Sequence, residues 1–473
     1  MSLAAKAILL WSVDILGSKW PIFTLSSRMR TCNLNFSTSS STQVTRCFDE
    51  DCDDFLPWLE KRAGTEISSV LSIAKSAYGR SLYASKSIEV GDFMLRIPLN
   101  VQLSPCNLLP EINDMLSDNV GDVTKLAIVV LFEQRMGLNS DWAPYISRLP
   151  HPEEMHNTIF WSQKELAMIR PSTLYHQTMW KNMHIHNEFL SAKPALDCYT
   201  GTSGQFDFDD FRHAYALVES RAWRSTKGVY LIPFADFLNH DGLSETIVLY
   251  DDHTGQSEQV IADQKYAPGE QVFIRYGKFS NATLLLDFGF ALPHNNHDEV
   301  TIHVKIPHHG SPLSVRKMEL LKRFTPNINK DVHNFHSSWD SFTIREVKSA
   351  KGKGKGIPQS LRAFARVICC TSSQELDELE NEASKGDGRI ARLPLRNSSK
   401  EIEAHKFLLS QITLLITEYI SSLKSIETTT LLCMTDKYTL RKKMARDLLI
   451  GEVRILKSAS DWLKNYCVQL LDL

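Results

Sequence analysis

Two short segments near the middle of the chain place the strongest constraint on its fold. Residues 232–240 read Ile-Pro-Phe-Ala-Asp-Phe-Leu-Asn-His, and residues 269–277 read Gly-Glu-Gln-Val-Phe-Ile-Arg-Tyr-Gly. The second segment predicts a strand over 271–276 that ends in a turn at Gly277. Tyr276 is therefore expected at the end of a strand, a place where functional side chains are commonly displayed.

A short helix is predicted directly after this turn. Ser280 can cap its first turn, and Gly289 suits the left-handed position at which many helices end. Phe288 and Phe290 are then expected at the exit of that helix.

The remaining pattern alternates between strand-rich and helical regions. Residues 107–225 and most of the chain beyond 306 have the apolar periodicity of helices. Further strands are predicted over 81–84, 93–98, 246–250, 259–262 and 300–306. We therefore expect an α+β protein, in which a β-rich core carries a helical insert and is followed by an all-α lobe.

Length and composition exclude several classes of protein. A chain of 473 residues with a formal charge of -2 predicts two folded domains plus extensions, with no overall attraction to nucleic acid. Nine scattered cysteines without a Cys-x-x-Cys pair predict reduced thiols, and we expect no metal site. No stretch approaches the roughly 18 apolar residues of a membrane span, so we expect no membrane partner.

Residues 1–48 differ in composition from the rest of the chain. They contain five Lys or Arg residues but a single acid, Asp14, and many Ser and Thr residues. This composition is typical of a targeting segment for a chloroplast or mitochondrion. The alternatives are a disordered tail or a true start at Met29, with a location in the cytoplasm or nucleus.

Several motifs together resemble the Rubisco large-subunit lysine methyltransferase (Rubisco LSMT) class of SET-domain proteins. They are the segments 79–84, 220–223, 232–240 and 269–290, followed by 358–367, 440–446 and 451–452. The resemblance implies a SET domain over 49–298 with a pseudoknot and a helical insert at about 107–225. It also implies a helical substrate-binding domain over 299–473, and we expect a monomer whose protein substrate docks on this lobe.

The resemblance implies S-adenosyl-L-methionine as the cofactor and assigns roles to matching positions. Tyr276 matches the catalytic tyrosine, which orients the transferred methyl group. The expected cofactor-binding residues are Arg80, Asp236, Asn239, His240, Tyr276 and Phe290. The expected substrate-side residues are Arg221, Trp223, Ile274 and Phe288.

This chemistry explains why such residue types are needed. Methyl transfer to an amine is an in-line displacement, so the nitrogen must be held behind the methyl carbon. A lysine must also lose its proton, which burial in a narrow apolar channel favours. We therefore expect a lysine methyltransferase that acts on a non-histone protein.

Two alternatives stay open at this stage. Residues 295–298 read Asn-Asn-His-Asp, which resembles a cluster of the actin-histidine methyltransferase branch, so the acceptor could be a histidine. Ser81 stands where a second glycine is usual, and Phe288 where many lysine methyltransferases of this class have a tyrosine. Those two departures are the sequence support for an inactive SET-fold scaffold.

Overall fold

The computed structural model describes most of the chain as two compact units. The described residues are 47–48, 54–76, 79–198, 205–225, 228–250, 257–304, 311–324, 341–350, 352–428 and 436–471. The predicted targeting segment lies outside them apart from 47–48, as does the hairpin turn predicted at 251–255. The first unit comprises Met1–Leu149 and Leu190–Gly277, and the second Pro150–Phe189 and Lys278–Leu473.

Short strands and helices of very different length make up the two units. The strands are β1 Cys47–Phe48, β2 Leu71–Ser76, β3 Gly79–Ala84, β4 Phe93–Pro98, β5 Trp223–Ser225, β6 Gly228–Tyr230, β7 Asn239–His240, β8 Ile247–Tyr250, β9 Ser257–Ile261, β10 Phe273–Ile274, β11 Glu299–His303 and β12 Ser341–Arg345. The helices are α1 Phe55–Ala63, α2 Pro110–Asn113, α3 Asp122–Met136, α4 Ala143–Ile146, α5 Gln163–Met168, α6 Thr173–Cys198, α7 Phe208–Arg221, α8 Asn281–Thr283, α9 Pro312–Phe324, α10 Gln359–Cys369, α11 Ser373–Ser384, α12 Ser398–Thr428 and α13 Asp436–Leu471. The boundary between the units at residue 189 falls within α6.

The first unit is built from small sheets rather than one large one. Two of them are antiparallel and three-stranded, with strand orders β1-β2-β3 and β4-β9-β8. Strands β5 and β6 form an antiparallel pair, whereas β7 and β10 pair in parallel. A parallel pair needs a long crossover connection, and here that connection contains β8 and β9.

Helices α3 and α7 cover part of this β-rich unit. Helix α7 begins in a reciprocal cap, in which Asp207 accepts from the backbone N–H of Asp210 and Asp210 accepts from that of Asp207. Its inner face buries Phe211, Tyr215 and Leu217, and it packs against α3. The helix ends at Arg221, directly before strand β5, so its C-terminus leads into the candidate site.

The second unit is dominated by long helices. Helices α12 and α13 pack against each other, and α10 packs against α12. Strands β11 and β12 form an antiparallel pair whose inner residues Val300, Ile302, Phe342 and Ile344 join the same apolar core. Burying this common apolar surface stabilises helices whose own propensity would not suffice.

A buried arginine ties the long helix α13 to the start of this unit. Arg441 donates to both carboxylate oxygens of Glu165 at 3.0 and 3.2 Å, and to the carbonyl oxygens of Phe160 and Met155. Both charged side chains are almost inaccessible to solvent. The segment 440–446, which belongs to the sequence resemblance, therefore contains a buried ion pair that stabilises this unit.

The α+β class is confirmed, while several details differ from the sequence-based expectation. A strand was predicted over 271–276, but the strand found there, β10, has only two residues, Phe273–Ile274. Strand β12 was not predicted, so the C-terminal segment is not purely helical. The compact units also divide the chain at other positions than the predicted domain ranges, which stay a prediction.

We expect that replacing Arg441 by methionine lowers the free energy of unfolding by about 3–5 kcal/mol. The substitution removes the guanidinium partner of the buried Glu165 carboxylate, which keeps its bond from the backbone N–H of Ser162, and the donor to two carbonyl oxygens. Urea unfolding, followed by the fluorescence of buried Trp462, measures the change. Arg446→Met on the exposed face of the same helix is the matched control, and equal losses in both variants would contradict the role of the buried pair.

Candidate functional site

The parallel pairing of β7 with β10 organises the candidate site. Asn239 lies opposite Phe273, and His240 lies opposite Ile274. Tyr276 lies two residues beyond the end of β10 rather than on it, which corrects the expected position. The two motif segments of the sequence therefore meet side by side in the first unit.

Tyr276 is fastened to the β7 segment at two points. Its hydroxyl donates to the carbonyl oxygen of Leu238 at 2.7 Å, and its backbone N–H donates to Nδ1 of His240 at 3.0 Å. The rings of Tyr276 and His240 lie 5.2 Å apart between centroids. Burial raises the pKa of Tyr276 well above its usual range, so its hydroxyl keeps its proton at neutral pH.

The orientation of that hydroxyl has a chemical consequence. Because its one proton is donated to Leu238, the oxygen lone pairs of Tyr276 act as acceptors for other groups. Such an oxygen can accept an N–H, or the weaker C–H bond of a polarised methyl group. This is a suitable group for orienting an amine or a methyl group.

Asp236 is a buried carboxyl residue of the first unit. Its side chain is fully buried, and Oδ2 accepts from the hydroxyl of Tyr145 at 2.7 Å and lies 3.7 Å from Nη1 of Arg221. Arg221 Nη1 also donates to the backbone carbonyl of Asp236 at 3.1 Å. Burial raises the pKa of the Asp236 carboxyl to about 6, although Arg221 and Tyr145 oppose the shift.

One oxygen of this carboxyl has no partner among the described residues. Oδ1 of Asp236 is buried and makes no hydrogen bond. A buried acceptor without a donor is costly, and in native proteins it often marks the place of a bound group. The atom therefore fits a ligand that brings a hydrogen-bond donor.

Tyr145 was not among the residues selected from the sequence. It lies 91 residues before Asp236, in α4 of the segment predicted as a helical insert. An isolated tyrosine in a helical region has no motif to distinguish it from a core residue. No sequence signal marks Tyr145, because its role depends on the packing of α4 near Asp236 in the folded chain.

Backbone strain also occurs in this segment. Phe234 has φ 74° and is, among the described residues, the one non-glycine residue with positive φ. It is completely buried, two residues before Asp236. Such strain costs about 1–3 kcal/mol and often occurs at functional sites, where packing holds the chain in place.

The other predicted residues of the first unit differ in their surroundings. Asn239 donates through Nδ2 to the hydroxyl of Ser81 at 2.6 Å, which connects β7 to β3. The side chain of Arg80 donates to the carbonyl oxygen of Arg148 at 2.9 Å, and its cofactor role stays a prediction. Trp223 and Ile274 are both only 2% exposed and supply apolar surface.

Phe288 and Phe290 belong to the second unit. They follow α8, which Ser280 caps as predicted and which continues as one π-helical turn over Leu284–Phe288. Gly289 has φ 79°, again as predicted, and Phe288 stacks on Phe279 at 5.6 Å. Helical turns of this type are frequent at functional sites. The cofactor and substrate roles of the two residues stay predictions.

The cluster 295–298 forms structural contacts within the second unit. Asp298 accepts from the backbone N–H of Asn281 at 2.8 Å, and Asn295 donates to the carbonyl oxygen of Phe279. A side chain at Gly451 would overlap Asp298, which explains the glycine of the Gly451-Glu452 motif. The polar groups of Asn295 and Asp298 that the sequence related to a histidine acceptor are therefore engaged in holding this unit together.

Two further features of the described residues concern metals and membranes. These residues contain no group of three or more His, Cys, Asp or Glu side chains arranged to hold a metal ion. No helix within the described ranges is long and apolar enough to cross a membrane.

Comparisons with known proteins relate the chain to protein methyltransferases. Residues 311–456 match the family model described as Rubisco LSMT substrate-binding. The [fructose-bisphosphate aldolase]-lysine N-methyltransferase of Arabidopsis thaliana chloroplasts is 27% identical over 305 residues, which are 61% of this chain and 61% of that enzyme. The actin-histidine N-methyltransferase of Gallus gallus is 26% identical over 460 residues, which cover 90% of this chain and 72% of that enzyme.

Solved structures extend the comparison to most of the chain. The structure of Rubisco LSMT bound to AdoMet matches with a TM-score of 0.68 and 20% identity, over 90% of this chain and 94% of that one. The SET domain of LSMT bound to lysine and AdoHcy matches with a TM-score of 0.67 and 20% identity, over 89% of this chain and 93% of that one. The resemblance predicted from the motifs is thus confirmed, and the chain has the fold of the Rubisco LSMT-like SET proteins.

Proposed function

We propose that this protein transfers a methyl group from S-adenosyl-L-methionine to a lysine side chain of a non-histone protein. The observation that carries the proposal is the position of Tyr276, whose hydroxyl is bonded to the carbonyl oxygen of Leu238 beside Asn239 and His240. Similarity to an aldolase-lysine methyltransferase and to the Rubisco LSMT fold supports both the reaction and the cofactor.

The residues of the first unit fit such a cofactor. Asp236 offers a buried acceptor without a partner, and Asn239 offers a half-buried amide held by Ser81. His240 accepts from the backbone of Tyr276 and thereby keeps its ring beside that residue. When bound, S-adenosylmethionine supplies an electrophilic methyl group on its sulfonium sulfur. Arg80, Asp236, Asn239 and His240 are the proposed binding residues of this unit.

The chain's own groups then have three tasks. Trp223 and Ile274 provide buried apolar walls, which exclude water and favour the uncharged amine of an entering lysine. The Tyr276 hydroxyl donates its proton to Leu238, so its oxygen lone pairs can accept from the reacting groups and orient them. We place Arg221 between the cofactor-binding residues and the substrate-side residues, because it contacts Asp236 and precedes Trp223.

A histidine acceptor is the second candidate. It is favoured by the similarity to actin-histidine methyltransferases, which covers 90% of this chain. Because Asn295 and Asp298 are engaged in structural contacts, their cluster adds no separate support. The identity of the labelled residue distinguishes the two candidates.

The same comparisons support proposals for the partner and the location. We propose that a monomer binds its protein substrate through the segment that matches the Rubisco LSMT substrate-binding model. We also propose an organelle as its location, on the basis of the basic, acid-poor residues 1–48 and the chloroplast relative. The cytoplasm or nucleus is the alternative.

We expect Tyr276→Phe to lower the rate of methyl transfer by about 100-fold, because loss of the hydroxyl misplaces the reacting groups. The measurement is transfer of tritiated methyl from S-adenosylmethionine to an organelle extract, followed by mass spectrometry of the labelled residue. Affinity for S-adenosylhomocysteine should stay within a few-fold in this variant, whereas Asn239→Ala should weaken it.

Tyr266→Phe is the matched control for this experiment. It removes the hydroxyl of a buried tyrosine of the same unit, which donates to Asp263. Label on a histidine would replace the lysine proposal by its rival. Absence of both label and cofactor binding would favour an inactive scaffold, and equal loss in both Tyr variants would remove Tyr276 from its catalytic role.

We expect the stability of the Asp236→Asn variant, measured relative to the native protein, to be higher at pH 7.5 than at pH 5. The same substitution should weaken cofactor binding. The pKa of Asp236 rises from an ordinary value near 4 to about 6 on folding. A raised acid pKa means that its contribution to stability is lost as pH rises between these values. Asparagine does not titrate, so the unfolding free energy of the variant relative to the native protein should increase by about 1–2 kcal/mol from pH 5 to pH 7.5.

The binding loss has a separate cause. An aspartate can accept from Tyr145 with one oxygen and from a ligand with the other, whereas asparagine has a single acceptor oxygen. Urea unfolding at both pH values and calorimetry with S-adenosylhomocysteine measure the two effects. The exposed Asp118→Asn is the control, and a difference in stability that does not change with pH would contradict the prediction.

A further inference from the structure

The proposed methyl transfer does not explain why a serine stands at position 81. It lies in β3, opposite Ala74 of β2, and its side chain is fully buried. Related SET proteins commonly have glycine at this position, as noted from the sequence. The hydroxyl therefore needs partners of its own, because a buried polar group without hydrogen bonds is destabilising.

The hydroxyl of Ser81 is the centre of a chain of three hydrogen bonds. Asn239 Nδ2 donates to Ser81 Oγ at 2.6 Å. Ser81 Oγ donates to Ser76 Oγ at 2.9 Å, and Ser76 Oγ donates to the carbonyl oxygen of Gly79 at 3.1 Å. We refer to these groups of Gly79, Ser76, Ser81 and Asn239 as the β3 relay.

The direction of the β3 relay is determined at its carbonyl end. A carbonyl oxygen can only accept, and Ser76 donates its single hydroxyl proton to that of Gly79. Ser76 then has only lone pairs to offer, and Ser81 must donate to it. Ser81 in turn has no proton left for Asn239. The amide of Asn239 is therefore obliged to present its NH₂ group, since an oxygen there would face the lone pairs of Ser81.

We propose that Ser81 is a positioning residue, which fixes the side-chain amide of Asn239 so that its Oδ1 is presented as an acceptor. This inference rests on the proposed function, since Asn239 is a proposed cofactor-binding residue. It specifies the ligand chemistry at this point, namely an N–H or O–H donor of the cofactor. The serine thus orients the binding amide before the cofactor arrives, which reduces the cost of ordering on binding.

The first test is the affinity for S-adenosylhomocysteine in a double-mutant cycle. Ser81→Ala should weaken binding about fivefold, the typical value of one hydrogen bond. In an Asn239→Ala background the same change should alter affinity less than about twofold, because Ser81 acts through Asn239. Equal effects in both backgrounds would show a merely structural role and overturn the proposal.

Ser76 provides a sharper variant, because its connection to Asn239 runs through Ser81. Ser76→Ala removes the acceptor that commits the Ser81 proton, so the amide can turn and affinity should fall as well. Ser72→Ala, on the same strand β2, is the matched control and should leave affinity unchanged. A native affinity in Ser76→Ala would contradict the directional relay.

A second measurement does not need the cofactor. In the full chain with selectively ¹⁵N-labelled asparagine, the side-chain amide signal of Asn239 is identified by its loss in Asn239→Ala. Ser81→Ala should shift this signal and accelerate its exchange with water severalfold. An unchanged signal would overturn the relay. If the signal responds but the native chain does not bind S-adenosylhomocysteine, the relay stands as a structural feature and the proposed function fails.

Discussion

The parallel contact between β7 and β10 is the constraint on which the candidate site depends. Each strand contributes only two residues, and the pairing sets Asn239 and His240 beside Phe273 and Ile274. Pairs this short are not stable by themselves. They persist because the surrounding small sheets hold the crossover, and because Tyr276 adds its own bonds to Leu238 and His240. The site is therefore formed by tertiary structure at the place where two distant segments meet.

Polar groups are buried near this strand pair. Their burial lowers the stability of the fold but leaves hydrogen-bonding groups available to a ligand. Asp236 is enclosed with one oxygen unpaired, and Phe234 is kept at positive φ. Both features are unfavourable for an isolated fold, and such features concentrate at functional sites. The hydrogen bond from Tyr145 and the nearby Arg221 limit the cost for Asp236. The first unit thus contains a buried acceptor, Oδ1 of Asp236, that can receive a hydrogen bond from a ligand.

The second unit shows that residues of a sequence motif can also form structural contacts. Residues 295–298 resemble a cluster of histidine-directed enzymes, yet Asn295 and Asp298 bind backbone groups of their own unit. Arg441, within the motif at 440–446, likewise binds Glu165 and two carbonyl oxygens. Motif residues can serve folding as well as chemistry, and their contacts in the folded chain distinguish the two roles.

Local patterns in the sequence determined much of this protein. Local strand and turn signals predicted β4 with its observed bounds, and cap chemistry predicted Ser280 and Gly289 at the ends of a short helix. The motifs also identified the segments of the site and their resemblance to SET proteins. All of these signals come from neighbouring residues, whose spacing reflects the geometry of a single element.

Tertiary structure alone decided which groups meet and what each can donate or accept. The contact of Tyr145 with Asp236, 91 residues away, leaves no trace in local spacing. Strand β12 was missed because its pairing with β11 bridges a long interval of the chain. The direction of the Gly79, Ser76, Ser81 and Asn239 hydrogen bonds likewise depends on strands β2, β3 and β7 lying together. A sequence specifies donors and acceptors, but only the packed fold removes their alternatives by excluding water and fixing each partner.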